Sequence, residues 1–411
     1  MRSWFIGLMT LVPLGVLGAS CALGSFEKIE PPPDELLCRH TTTPLPPGLL
    51  DASNGDAMST GDVEFTVAVR TLRMKQTADG GPLGLDLDRY CSCQGEPPSC
   101  IRPAYQDKDL ACDLPAGRDN QMIALFRIIE LVLLFDPEGD QLSELYSTFA
   151  NLGRWSILMR VSGYNGLPND DQVRVEWYPS GGRPSPQWAG SDEWPIVPSS
   201  VVDGGNVLDG GLGARFFDND AYVTNGQLVF SLIESEFTAS NGLTRLSMTI
   251  SDGSGIAKLE LGPNGYELHD GIIAGRLAEG DMFKMVADFR DHNGAPFCAT
   301  EGNPYWMATR DAFCRSRDIQ VGSANPNKKC DAISIGLGFE AEPAITGIVE
   351  PANYDGGTDC GPGQDPYSVY LDAGCPEPPM EDGATGNVAD APDAEDPDAQ
   401  ADGGASDAAT D

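Results

Sequence analysis

The sequence predicts a mainly β fold: an antiparallel β-sandwich-like body with a few packed helices, disulfide-stapled. Apolar and polar residues alternate in short runs such as Val173–Tyr178, which is typical of strands with one buried face. Turn dipeptides, such as Asn225-Gly226 and Asp252-Gly253, separate these runs and favour tight hairpins. Of the 11 cysteines, ten remain when Cys21 is set aside, which is an even set suited to a disulfide framework.

Signals for β-strands recur along most of the chain. The first lies in Val63–Met74 and the last in Cys330–Phe339, after which Ala341–Pro379 is typical of a loop. Between them, strands are predicted at Trp155–Val161, Val173–Tyr178, Ala221–Thr224, Gln227–Ile233, Arg245–Ser251, Ile256–Leu261 and Tyr266–Leu277. Apolar residues at three- and four-residue spacing predict two helices within Asp119–Leu152 and one each in Asp281–Arg290 and Trp306–Arg315.

The N-terminus predicts export. Arg2 precedes an apolar run from Trp4 to Leu17, which is too short to span a membrane and ends in small residues, as in a signal peptide over residues 1–20. Cys21 follows the small residues and is similar to the lipidated cysteine of a bacterial lipobox, although Gly18 stands where the usual Leu is expected. An ordinary signal peptide cleaved nearby is the alternative. We expect an exported protein, lipid-anchored at the outer membrane or cell surface.

Composition divides the rest of the chain. Residues 21–61 are rich in Pro and predict a tether, residues 62–377 a single mostly-β domain, and residues 378–411 a disordered acidic tail. The chain has 26 basic and 62 acidic residues, a net charge of −36. This charge argues against nucleic acid as a partner. The expected partners are the membrane, through the lipid anchor, and an envelope glycan or protein.

Three groups of cysteines constrain the disulfides. If the C-terminal pair bridges to itself, the other two groups are odd in number and at least one bridge must join them. Cys91 and Cys93 stand too close together for an ordinary bridge and should take different partners. Zinc is disfavoured because the spacing is wrong and histidines are few. The groups are Cys38, Cys91, Cys93, Cys100 and Cys112; Cys298, Cys314 and Cys330; and Cys360 and Cys375.

Several motifs together resemble a known group of proteins. After the lipobox-like start come Gly84–Cys93 (GLDLDRYCSC), Tyr164–Asp170 (YNGLPND), Pro296–Ala299 (PFCA) and Cys330–Phe339 (CDAISIGLGF). In this combination the chain resembles a group of uncharacterised lipoproteins of myxobacteria and their relatives, over roughly 63–344. The resemblance implies an envelope address and a single folded body, and it transfers no catalytic residue.

Catalytic motifs are absent from the sequence. It contains no G-x-S-x-G, no P-loop and no H-E-x-x-H. His269 and His292 lie at a strand end and in a turn, where surface roles are common. Carboxylate pairs suited to glycosidase chemistry could be drawn from almost any part of so acidic a chain, so they discriminate nothing.

Two binding sites are predicted instead. Ca²⁺ prefers clustered carboxylate and carbonyl oxygens, which Asp86, Asp88, Asp119 and Asn120 would supply, with turn formation and helix capping as the alternative roles. Trp188, Trp194 and Tyr178 lie in or beside a long Gly/Pro-rich loop, where their rings could stack on a sugar or peptide or fold back to close the sandwich. The sequence thus predicts an envelope lipoprotein that binds a ligand or has a structural role, with a secreted polysaccharide-active enzyme as the alternative.

Overall fold

The fold is that of a computed structural model. It describes residues 38, 40–47, 61–103, 112–132, 136, 139–202, 207–208, 211–240, 245–290, 295–300, 302–351 and 360–375. The predicted signal peptide, Cys21, most of the predicted tether and the acidic tail lie outside the described residues. None of the helices in this part of the chain is long and apolar enough to span a membrane.

The described residues form eleven strands and five helices, so the mainly β prediction is confirmed. The strands are β1 (Val63–Arg73), β2 (Ser156–Tyr164), β3 (Asp170–Ser180), β4 (Glu193–Ile196), β5 (Val207–Leu208), β6 (Gly211–Leu212), β7 (Phe216–Thr224), β8 (Gln227–Ser240), β9 (Arg245–Gly262), β10 (Gly265–Ala278) and β11 (Ala332–Val349). The helices are α1 (Met122–Val132), α2 (Gln141–Asn151), α3 (Glu279–Ala287), α4 (Pro304–Arg315) and α5 (Pro366–Ala373).

One large sheet carries the fold, and it closes on itself. Its order is β1-β2-β3-β7-β8-β9-β10-β11, and β11 pairs antiparallel with β1, for example at Leu72 and Phe339. Opposite walls of the sheet therefore face each other across the core, as the two layers of a sandwich do. Alternation along β1 places Val67 and Val69 in this core and Ala68 on the outer face.

Aromatic side chains connect the helices with the residues before β2 and with one another. The indole nitrogen of Trp155, just before β2, donates to the carbonyl of Tyr146 in α2 at 3.0 Å. Phe283 of α3 stacks on Tyr370 of α5 with ring centroids 4.6 Å apart, and it meets Trp306 of α4 edge-on at 5.8 Å. The predicted loop over Ala341–Pro379 is therefore wrong, since β11 continues to Val349 and α5 lies further on.

A second apolar cluster lies on the outer face of the sheet. Strand β4 runs parallel to the last part of β11 and covers outward side chains of β1, β2 and β3. The buried members of the cluster are Ala68, Leu158, Tyr178, Trp194, Ile196, Val201, Ala214 and Ala344.

Five disulfides join the ten cysteines other than Cys21. Cys93 bonds to Cys112 and Cys91 to Cys38, so the expectation of different partners is fulfilled, and Cys100–Cys330 links the N-terminal group to the group of three. Cys360 and Cys375 do not pair with each other, so the condition of the parity argument is not met: the remaining bridges are Cys298–Cys360 and Cys314–Cys375. Both fasten the α5 region to residues near α4. Such a framework is typical of an oxidising, exported environment.

Candidate metal centre

Two loop segments converge at the base of α1. The amide of Asp119 donates to the carbonyl of Leu85 at 3.0 Å, which sets the two segments side by side. The carboxylates of Asp86, Asp88 and Asp119, all buried, meet there, each offering one oxygen within 4.8 Å of the others. The structure thus brings together the three aspartates predicted to bind Ca²⁺.

Backbone amides orient each of these carboxylates. Asp86 accepts from Arg89 N at 2.6 Å, and Asp88 accepts from Tyr90 N at 2.9 Å. Asp119 accepts from Leu87 N at 2.7 Å, so its carboxylate is fixed by the loop that carries the other two. Disulfides hold both loops in place, because Cys38–Cys91 and Cys93–Cys112 lie within or beside them. The geometry is therefore preorganised by main-chain contacts, as in metal loops.

Negative charge is in excess at this position. Burial, followed by the charges of Asp88, Asp113 and Asp318, raises the pKa of Asp119 well above its usual range. Burial also raises the pKa of Asp113 to about 7 and that of Asp318 to about 6. Arg102 opposes both shifts and lies 3.4 Å from the Asp113 carboxylate. Such clustered carboxylates gain free energy from a divalent cation, which favours their charged form.

A small cavity adjoins the cluster. It has a volume of about 30 Å³ and is lined in part by Asp113, Asp119, Gln121 and Asp318. This volume is enough for one water molecule or one ion.

Sequence reasoning missed Asp113 and Asp318. Asp113 directly follows a bridged cysteine, but Asp318 reaches the site only through the long-range pairing of Ile319 with Ala332 at the start of β11.

The side chain of Asn120, the fourth predicted ligand, bonds to the backbone of β11. Its side-chain oxygen accepts from Gly336 N at 2.9 Å, and its amide nitrogen donates to Gly336 O at 3.1 Å. Asn120 therefore pairs with the backbone of β11 as a neighbouring strand would. This pairing gives Asn120 a structural role beside the carboxylates, and its ligation of Ca²⁺ stays a prediction.

Two further groups of polar side chains make ordinary contacts. His40 contacts Asp86 beside the Cys38–Cys91 pair, but a disulfide offers no thiolate to a metal. Asp170 accepts from Asn165 N at 2.7 Å and from Gln172 N at 3.2 Å, as turn-forming aspartates do.

The predicted aromatic site is a packing cluster. Tyr178 and Trp194 are almost fully buried, and the Trp188 ring lies 5.2 Å from that of Trp194. Arg70 lies over the half-buried Trp188 ring at 5.3 Å. Stacking on a sugar needs an open ring face, which Tyr178 and Trp194 do not offer. The loop folds back on the sheet, which was the alternative that the sequence left open.

No family model, curated protein or solved structure matches the chain.

Protonation of the buried carboxylates should make the metal-free protein pH-sensitive. The folded-state pKa values of Asp113 and Asp318 lie above the ordinary value of 3.8. A raised folded-state pKa stabilises the fold fully below the unfolded pKa, and this stability is lost as pH rises through the folded pKa. We therefore expect the melting temperature in metal-depleted buffer to fall between about pH 4 and about pH 7.

The variant Asp113→Asn tests this expectation. Its amide oxygen can still accept from Ser92 N, which donates to Asp113 at 2.6 Å, but it carries no charge. Thermal unfolding across the same pH range should show a smaller fall in melting temperature for the variant than for the wild type. Parallel curves would contradict the assignment of this pH dependence to Asp113.

Proposed function

We propose that this protein is an exported cell-envelope lipoprotein, anchored by lipid on Cys21, which acts as a binding or structural module and holds Ca²⁺ at Asp86, Asp88 and Asp119. One observation carries the Ca²⁺ proposal. Three buried carboxylates from two separate loops converge within 4.8 Å. The excess of charge there would be costly in the folded protein without a cation.

The donor set favours Ca²⁺ over zinc. The three carboxylates supply oxygen only, and the neighbouring cysteines Cys38 and Cys91 are bridged. Ca²⁺ takes six to eight oxygens in flexible geometry, so loop carbonyls and water would complete the shell. A bound ion would cross-link 86–88 to Asp119 at the start of α1. It would thus act with the disulfides to stabilise this loop-rich end of the fold.

Ca²⁺ should raise the melting temperature of the wild-type protein. A ligand that binds only the folded state stabilises it by about 2.7 kcal/mol when its free concentration is roughly 100-fold above Kd. For a protein of this size we expect a rise of several degrees between chelator and millimolar Ca²⁺, measured by thermal unfolding.

Two substitutions sharpen the Ca²⁺ experiment. Asp119→Asn keeps an acceptor for Leu87 N but removes a buried charge, so in chelator it should be at least as stable as the wild type and in Ca²⁺ it should gain nothing. The matched control, Asp171→Asn at the exposed start of β3, should retain the full response. Equal Ca²⁺ responses in Asp119→Asn and the wild type would refute the site.

The lipid anchor has a separate test. Cells supplied with an alkyne fatty acid should label the wild-type protein and leave Cys21→Ser unlabelled, because the thiol of Cys21 is the proposed attachment point. The variant should also shift from the membrane to the soluble fraction. Equal labelling of both proteins would end the proposal of lipidation at Cys21.

A further inference from the structure

An open groove of about 870 Å³ lies on the outer face of the sheet, away from the carboxylate cluster. Its lining comes from the first residues of β7, the middle of β8, the first residues of β9, and helices α3 and α5. A second depression of about 290 Å³ shares Glu236 and Arg245 with it. The two together form an elongated surface that crosses β8 and β9.

The groove opens where β8 separates from β7. These strands pair only at Tyr222–Thr224 and Gln227–Val229 among the described residues. Beyond that point, Ser231 N donates to the Asp218 carboxylate at 2.7 Å, and the Trp177 indole donates to Glu236 O at 2.7 Å. Side chains therefore form hydrogen bonds with backbone groups of β8 that would otherwise pair with a neighbouring strand.

The floor of the groove is polar and bears hydroxyl groups. Glu236 of β8 is paired in register with Thr249 of β9, and Thr238 with Ser247. The hydroxyls of Thr238 and Ser247 lie 3.4 Å apart. Each hydroxyl can donate and accept, so the floor offers both kinds of hydrogen-bonding group to a ligand.

Two exposed apolar side chains border this floor. The alternation of β8 changes phase at Ile233 and Glu234, which are both exposed, opposite a residue with positive φ, Asp252 (φ 46°). Ile233 is 72% exposed and Phe217 is 45% exposed. The guanidinium of Arg174 lies over the Phe217 ring at 4.3 Å. This cation–π contact holds the Phe217 ring in place.

Ion pairs hold the charged groups of the opposite wall. Arg245 bonds to Asp288, directly after α3, through two nitrogens, at 2.9 and 3.0 Å. Lys284 bonds to Asp281 at 2.6 Å. Acidic lining residues outnumber basic ones, five to three: Glu234, Glu236, Asp281, Asp288 and Asp365 against Arg215, Arg245 and Lys284.

We propose that this groove binds a neutral oligosaccharide chain. Sugar hydroxyls can form hydrogen bonds with the hydroxyl, carboxylate and guanidinium groups that line the groove. The C–H faces of sugar rings can pack on Phe217 and Ile233. The acidic excess disfavours an anionic glycan. An added peptide strand would have to displace the contacts that Asp218 and Trp177 make with β8. The site shares no residue with the proposed Ca²⁺ centre.

A glycan array carrying neutral and uronic-acid oligosaccharides, probed with the protein lacking its signal peptide, tests the ligand class. We expect binding to neutral chains only. Binding confined to uronic-acid chains, or no binding to any array member, would overturn the proposal.

Variants then test the position with the best-bound neutral oligosaccharide, by titration calorimetry. Phe217→Ala should weaken binding at least tenfold, because it removes an exposed packing face. Thr249→Val should weaken it through loss of a floor hydroxyl, and its similar volume protects the fold. Leu261→Ala, which truncates a 71% exposed side chain at the far end of β9, should bind as the wild type does. Unchanged affinity in both groove variants would overturn the site, and thermal unfolding verifies that each variant is folded.

Discussion

Replacing both cysteines of the Cys100–Cys330 bridge by serine is expected to lower the free energy of unfolding by about 5 kcal/mol. The bridge joins residues separated by 230 positions, the longest separation of the five. In the loop-closure account, a cross-link removes more unfolded-state entropy as the loop it closes grows. Both cysteines are almost fully buried, so the change also places two hydroxyl groups where no water reaches.

A shorter bridge in the same region provides the control. Cys93–Cys112 has a sequence separation of 19, for which the same account gives about 3 kcal/mol. Denaturant unfolding of the two double-serine variants measures the difference under identical conditions. A loss for Cys100→Ser/Cys330→Ser no larger than that for Cys93→Ser/Cys112→Ser would contradict the expectation.

The long bridge also matters for the candidate metal centre. Beside it, Ile101 N donates to Lys328 O at 2.8 Å and Cys330 N donates to Ile101 O at 2.9 Å. These contacts fasten the loop that carries the aspartates to the start of β11. The double-serine variant should therefore respond less to Ca²⁺ than the wild type does.

Trp194→Ala should cost about 3–5 kcal/mol of stability, the range for emptying a buried aromatic position. Trp194 is fully buried on the outer face of the sheet, where β4 covers Leu158 and Tyr178. Its indole nitrogen has no hydrogen-bond partner among the described residues. Trp194→Phe should therefore cost much less than Trp194→Ala, since it fills most of the volume and removes an unpaired polar group.

Denaturant unfolding distinguishes packing from ligand binding at this cluster. The half-buried Trp188 serves as the comparison, and Trp188→Ala should cost less than Trp194→Ala. If Trp194→Ala changed stability by less than about 1 kcal/mol, the cluster would not be the packing element described here.

Local sequence patterns predicted much of the sheet. Alternation and turn residues located most of the strands, because both depend on neighbouring residues only. The hairpin turn predicted at Asp252-Gly253 is wrong, since both residues lie within β9, which runs from Arg245 to Gly262. Closure was not predictable in this way. It depends on pairs such as Thr66 with Ala344, which stand near opposite ends of the body. The end of β11 was missed because Pro343 interrupts a pattern that is otherwise typical of a strand.

The disulfides were predictable only in part from the number of cysteines in each group. Parity required a bridge between the two odd groups only if Cys360 paired with Cys375. That premise was wrong, yet Cys100–Cys330 exists. Helix α5, which the sequence left as loop, separates Cys360 from Cys375 and directs each to its own partner near α4.

The candidate metal centre was predictable in part, because two of its carboxylates are close in the sequence. Asp86 and Asp88 lie two residues apart, so they share a side of an extended chain. Asp318 joins them only through tertiary structure, and the bond between Asn120 and the backbone of Gly336 likewise depends on where β11 lies. The burial of Trp194 likewise could not be foreseen from composition, since it depends on where β4 docks.

X-ray diffraction from crystals grown with Ca²⁺, recorded at a wavelength where calcium scatters anomalously, tests the central proposal most directly. We predict one anomalous peak bonded by oxygens of Asp86, Asp88 and Asp119 at roughly 2.3–2.6 Å. A map without a peak there, in crystals that show these carboxylates bonded only to protein groups or water, would contradict it.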